Sequence, residues 1–216
     1  MPRIFNLEEY NSTLKDVYLI IGEGLCSNIY TIGREHVTIV DPGVGNWANP
    51  VWPQLEEIGI HPENVEKVII THAHHDHASG VYIILQRASP KIYVHTIDSR
   101  YNASSLGEKL VKVEEDDTIE TELWPLKVIH TPGHTEGGMC LYNQENKILI
   151  SGDTVFADGL YGAYFGEGGS LQSMINSLQK LTKLDVDILM PGHSSPVFKE
   201  AKKHISRAYQ KASRPR

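Results

Sequence analysis

Positions 72 to 77 hold His72, His74, His75 and His77 together with Asp76. Imidazole and carboxylate are the donors that Zn²⁺, Fe²⁺ and Mn²⁺ accept. The stretch is internal and mixed, unlike a terminal His tag. Three later segments share its character: Thr131-Pro132-Gly133-His134, Ser151-Gly152-Asp153 and Pro191-Gly192-His193. Each sets a donor beside a glycine, which lets the backbone turn tightly. His75 is expected to point away, because its neighbours on both sides are donors. That leaves His72, His74, Asp76, His77, His134, Asp153 and His193 as the candidate metal set. Seven donors are too many for one tetrahedral ion. They suit two divalent ions that share a carboxylate and keep positions open for water. Two ions roughly 3.5–4 Å apart can generate a hydroxide and polarise the bond it attacks.

Such a set needs strands to position it. Runs of β-branched residues bounded by Gly, Asp and Pro predict strands at 17–21, 29–32, 37–40, 65–71, 91–95, 126–130, 140–142, 148–151 and 187–190. Apolar residues at helical spacing predict helices at 51–58, 78–86, 170–181 and 199–210, with Ser170 as the N-cap of the third. The His cluster then lies on a strand-to-helix loop. The other three donor segments each follow a strand's carboxyl end, where open α/β sheets build their sites. Strands dominate early and helices alternate with them later. The pattern predicts two sheets with helices outside, a layered α/β fold.

The chain has 216 residues, a length that suits one domain. Its net charge of -7 argues against the broad basic surface of a nucleic-acid binder. The longest apolar run near the start, 17–21, is far too short to span a membrane. The two cysteines, Cys26 and Cys140, form no metal-binding pair and suit a reduced, cytoplasmic protein.

The ordered pattern HxHxDH, PGH, GD and PGH resembles the metallo-β-lactamase-fold superfamily. Within it, the pattern is most similar to the glyoxalase II (hydroxyacylglutathione hydrolase) branch and its small thioesterase relatives. The resemblance runs from the strands at 28–41 to His193. It implies a four-layer αβ/βα sandwich, with 1–216 as one hydrolase domain. It implies that His72, His74 and His134 hold one ion, that Asp76, His77 and His193 hold a second, and that Asp153 bridges them. Zn is the expected metal, with Fe and Mn as alternatives. The implied activity is metal-dependent hydrolysis, with metal-bound hydroxide attacking a small thioester, lactone or related ester and Asp76 holding the proton of the attacking water. Asp153 stands where lactamases commonly carry Cys, and His74 where flavodiiron oxygen reductases carry Glu. Both favour the glyoxalase or lactonase kind. A mononuclear-iron persulfide dioxygenase and a nuclease-branch member remain alternatives. The expected partner is a small molecule, with no nucleic acid and no membrane; the oligomeric state stays open.

Several residues carry secondary expectations. Asp41 ends a predicted strand and supports the site by the same resemblance. His95 and His130 are expected to be packed, with His130 able to orient His134. His36, His61 and His204 read as surface residues. The glycine- and aromatic-rich loop 155–169 is expected to wall the site, with the Tyr161 and Tyr164 hydroxyls near the substrate oxyanion. It carries Gly162-Ala163-Tyr164 where glyoxalase-like relatives often show a GRTD-type segment, and one helix's worth of chain follows His193. Selectivity for glutathione is therefore not expected. The tail 199–216, rich in Lys and Arg, reads as a docked helix with cations toward its C-terminus.

Overall fold

The computed structural model describes residues 3–101, 103–166 and 168–214. The first sheet has seven strands in the order of the chain: β1 (Arg3–Asn6), β2 (Val17–Ile21), β3 (Asn28–Ile32), β4 (Val37–Val40), β5 (Val65–Ile70), β6 (Lys91–His95) and β7 (Leu110–Val113). Strands β1 to β4 pair antiparallel, and β4 to β7 pair parallel. The second sheet holds β8 (Thr118–Ile119), β9 (Leu126–His130), β10 (Met139–Asn143), β11 (Ile148–Gly152) and β12 (Ile188–Pro191), ordered β12-β11-β10-β9-β8. Only its β11–β12 pair is parallel.

Strand alternation sorts the side chains into three cores. Ile69 of β5 joins Leu19, Tyr30 and Val40 against Val128, Leu141, Ile150 and Met190 of the other sheet. Its neighbours Val68 and Ile70 point the opposite way. There they meet helices α1 (Val51–Glu57), α2 (His75–Ala78) and α3 (Val81–Ile84). On the second sheet Leu141 faces the shared core, while Cys140 and Tyr142 face the outer helices. A short α4 (Ala103–Leu106) precedes β7. The outer helices are α5 (Leu171–Leu181) and α6 (Lys202–Ala212), which bury Met174, Leu178 and Leu181, and Ile205, Ala208 and Ala212. The result is a helix–sheet–sheet–helix sandwich, the predicted fold class.

Most predicted strands fall within a residue or two of their observed bounds. The helix expected at 78–86 does not. It starts earlier, at His75, and splits into α2 and α3 around Ser79-Gly80. Gly80 is the cause. Its amide donates to Gly43 O at 2.7 Å, and a side chain there would meet Pro42 O at 2.1 Å. His75, Asp76 and His77 thus lie on a helical turn rather than on the predicted loop. The last helix is displaced toward the C-terminus, from 199–210 to Lys202–Ala212. Its neighbours Pro215 and Arg216, part of the predicted basic tail, lie outside the described residues, as does Glu167 of the loop 155–169. Strands β1, β7 and β8 are additions to the predicted set. They sit at sheet edges, where burial is partial and alternation is weak.

Candidate metal centre

All seven candidate donors converge at one end of the two sheets. His72 and His74 follow β5, and Asp76 and His77 sit on α2. His134 lies on the β9–β10 connection, while Asp153 follows β11 and His193 follows β12. Their donor atoms form three groups, each within 4.8 Å: His72, His74 and His134; Asp76, His77 and His193; and His72, His77 and Asp153. The third group joins the first two. Asp153 approaches both of them, at 3.4 Å from His77 Nε2, 3.5 Å from His134 Nε2 and 3.6 Å from His193 Nε2. His75 is exposed and belongs to none of the groups.

Hydrogen bonds on the far side of the rings fix which nitrogens face inward. His77 Nδ1 donates to Asp41 Oδ2 at 2.8 Å, which turns Nε2 toward the other donors. His134 Nδ1 donates to Ala163 O at 2.7 Å and likewise presents Nε2. His72 Nδ1 faces the Thr71 hydroxyl at 3.2 Å, and that hydroxyl donates to Asp41 Oδ2 at 2.7 Å. A carboxylate behind His77, a carbonyl behind His134 and a carboxylate reached through the Thr71 hydroxyl behind His72 are the kind of partner that orients metal-ligating histidines. On the inward side, His72 Nε2 lies 3.1 Å from His74 Nδ1, and His77 Nε2 lies 3.2 Å from His193 Nε2.

Burial holds His72 well below the usual imidazole range, helped by the neighbouring imidazoles, and it shifts His74 in the same direction. His77 is pulled both ways. Burial disfavours its charge, but Asp41 and Asp153 outweigh that and push it up to about 10. For Asp76, burial is outweighed by the His193 hydrogen bond and the His77 charge, which bring it down to about 2. Asp153 is lowered too, with its burial overcome by His77.

The residues fit a pair of cations. His134 Nε2 and Asp153 Oδ1 are buried without a hydrogen-bond partner among the described residues. Unpaired buried acceptors are costly unless something supplies positive charge. Neutral imidazoles and ionised carboxylates are the donors such a cation takes.

Asp41 performs the support expected of it: it lies at φ 52°, buried, and also accepts from Thr71 N at 2.7 Å. Three further supports have no signature in the sequence. Buried Asp98 accepts from Ala73 N at 2.9 Å, Thr135 Oγ1 at 3.1 Å and Gly137 N at 2.9 Å, tying the loops of His74 and His134 together. Asn28 Nδ2 donates to Pro191 O and Ser194 O at 3.0 and 2.8 Å, bracketing His193. Tyr30 OH donates to Pro191 O at 2.9 Å. Their partners are mostly main-chain groups, which leave no sequence motif.

His95 stacks on His130 at 4.1 Å, as packed residues. His130 Nε2 meets Glu136 O at 2.9 Å, so it braces the β9–β10 connection rather than His134 itself. His36 and His61 are exposed, but His204 is half-buried and accepts from Asp158 N at 2.7 Å. Together with Lys211, which donates to Asp158 O at 2.9 Å, it pins the loop 155–169 to α6. The Tyr161 ring packs on the outer core of the second sheet and stacks at 6.4 Å on Tyr164. The loop reaches the donors through the Ala163 carbonyl.

Residues 22–193 match the family model of the metallo-beta-lactamase superfamily. The chain belongs to this superfamily. It is 32% identical to a probable metallo-hydrolase of Methanocaldococcus jannaschii, over 80% of this chain and 89% of that protein. It is also 32% identical to a hydroxyacylglutathione hydrolase of Francisella tularensis, over 72% of this chain but only 57% of that enzyme. The chain thus spans little more than half of its glutathione-hydrolase relative. A metallo-beta-lactamase from Pontibacter korlensis shares the fold, with a TM-score of 0.78 over 100% of both chains at 16% identity. The chain is a metal-dependent hydrolase of this superfamily. No helix among the described residues is long and apolar enough to cross a membrane.

Proposed function

We infer that the chain cleaves a small thioester, lactone or related ester with two divalent ions, Zn²⁺ first and Fe²⁺ or Mn²⁺ as alternatives. Residues 1–216 act as one domain in this reading, since both sheets feed the shared core and both donor groups. His72, His74 and His134 are assigned to one ion, and Asp76, His77 and His193 to the other. The observation that carries the reading is Asp153, whose carboxylate lies within 3.6 Å of imidazoles from both groups.

Bound there, such ions would lower the pKa of a coordinated water and polarise the substrate carbonyl. Asp76, held ionised with Oδ2 at 3.1 Å from His193 Nε2, would orient such a water by accepting a hydrogen bond from its proton. Asp41 keeps His77 in the tautomer that presents Nε2. A thiolate leaving group, with a pKa of about 8.5, departs without a strong general acid. Tyr161 and Tyr164 are assigned to the wall on the loop side. Two free, buried thiols accord with the cytoplasmic placement expected from the sequence.

A panel of thioesters, lactones and a β-lactam on metal-loaded protein tests the reading. Turnover of thioesters or lactones that chelation abolishes and added metal restores is the expected result. O₂ consumption with a persulfide, and no ester cleavage, would replace it with the dioxygenase reading. Unchanged rates in Tyr161→Phe and Tyr164→Phe would remove both hydroxyls from the chemistry.

A further inference from the structure

The outward nitrogens of the metal-set histidines lean on unlike supports. His77 leans on the buried Asp41 carboxylate, and His72 reaches the same carboxylate through the Thr71 hydroxyl. His134 Nδ1 instead donates to the Ala163 carbonyl, at 2.7 Å, on the loop that follows Asp153. Close packing places that carbonyl. A side chain at Gly162 would meet the Asp153 main-chain O at 1.9 Å and His134 Nδ1 at 3.2 Å, so the loop main chain lies directly against the donors.

The other end of this loop lies on α6. Val155 and Tyr161 bridge as antiparallel partners, and Phe156 N donates to Leu160 O at 2.9 Å, which closes a short hairpin with Asp158 and Gly159 at its tip. Asp158 sits at φ 57°, a left-handed conformation that a non-glycine residue keeps only where its surroundings hold it. Here α6 takes both of its main-chain groups. Asp158 N donates to His204 Nδ1 at 2.7 Å, and Lys211 Nζ donates to Asp158 O at 2.9 Å. A side chain at Gly159 would meet Arg207 Cγ at 2.6 Å, so the tip lies flat on the helix. His204, Arg207 and Lys211 share one face of α6 at helical spacing. Between the tip and Gly162, Tyr161 packs on the outer core to which α6 contributes Ile205 and Ala208. Packed contacts thus run unbroken from α6 to His134. The hairpin meets the second donor group differently: the Phe156 ring lies 6.4 Å from the His193 ring and offers it no carbonyl or carboxylate.

Resting on the two-ion reading, we propose that α6 positions His134: His204 and Lys211 hold the hairpin tip, the hairpin holds the Ala163 carbonyl on His134 Nδ1, and the first donor group's affinity for its ion depends on that chain of contacts. His204 and Lys211 are positioning residues, acting through the loop main chain. The second donor group, oriented from the core by Asp41, is independent of them.

Zn²⁺ titration of the metal-free protein against a chelator resolves the two binding steps, and His134→Ala identifies the step that belongs to the first group. His204→Leu removes the acceptor of Asp158 N; it is expected to weaken that step about tenfold and to change the other by less than about twofold. Lys211→Met should shift the same step in the same direction. His204→Asn returns an acceptor near the place of Nδ1 and should restore the affinity. In the His134→Ala background His204→Leu should have no further effect, because residues acting through one contact do not add. A second readout needs no metal. The His134 Nδ1 proton, followed by NMR in the metal-free protein, should exchange with water faster in His204→Leu than in wild type. Equal weakening of both steps, or a His204→Asn variant as impaired as His204→Leu, would make His204 a general stabiliser and overturn the proposal. Two steps left unchanged by His204→Leu would discard the role of α6 and keep the two-ion reading. A single step in wild type would discard that reading; faster proton exchange in His204→Leu would then still support the role of α6, and unchanged exchange would overturn it.

Discussion

Asp98 reaches Ala73 N, Thr135 Oγ1 and Gly137 N with one buried carboxylate, so a single side chain sets the spacing of His74 and His134. Asp98→Ala leaves the buried Gly137 amide and the part-buried Ala73 amide without their acceptor, a loss of about 1–3 kcal/mol of stability for the buried one and less for the other. Metal affinity should fall by about 10–100-fold, as for other groups that orient ligands from behind. Thermal melting and chelator competition measure the two effects, and unchanged affinity would contradict the role. Asp153→Ala should abolish hydrolysis and lower metal content while the fold persists; near-normal turnover with two ions bound would refute the bridge. At this scale His72, His74, Asp76 and His77 were legible from their crowding, and His134, Asp153 and His193 because each stands beside a glycine with a structural duty. Gly152 adopts φ 46°, and a side chain at Gly192 would meet Asp153 Oδ1 at 2.4 Å. Asp98, Asn28 and Tyr30 were not legible. They act mainly on main-chain groups brought close by the fold, and nothing in local spacing announces such contacts.

Elements carry the donors only if the two sheets stay in register. Glu122, just before β9, caps the β3–β4 turn of the opposite sheet: its Oε2 accepts from Arg34 N, Glu35 N and His36 N at 3.0, 2.9 and 2.7 Å. Some loss of hydration disfavours the charge of this exposed residue, but the three amides outweigh this and hold the carboxyl below its usual range. A lowered folded-state pKa gives stabilisation that is present above the unfolded carboxylate pKa and lost as pH falls through the folded one. Glu122→Gln should therefore melt below wild type near neutral pH, with the gap closing in acid. A gap that is constant with pH would rule out the charge. The strands that hold donors were readable from β-branched runs. The break between α2 and α3 was not, because Gly80 meets Pro42 and Gly43 from a distant part of the chain. The α5 N-cap was legible: Ser170 accepts from Ser173 N at 3.2 Å.

For the molecule as a whole, the two sheets bring donors from four segments to one end. The layered class followed from element order alone. The pairing of the sheets depends on contacts that sequence spacing does not record. The central claim is that this end of the sandwich holds two ions through separate donor groups joined by Asp153. Elemental analysis of purified protein, loaded with Zn²⁺ and freed of excess, tests it most directly when run beside His134→Ala and His193→Ala. The account predicts two ions per wild-type chain and about one in each variant. A plateau at one ion per wild-type chain, unchanged by His193→Ala, would contradict it.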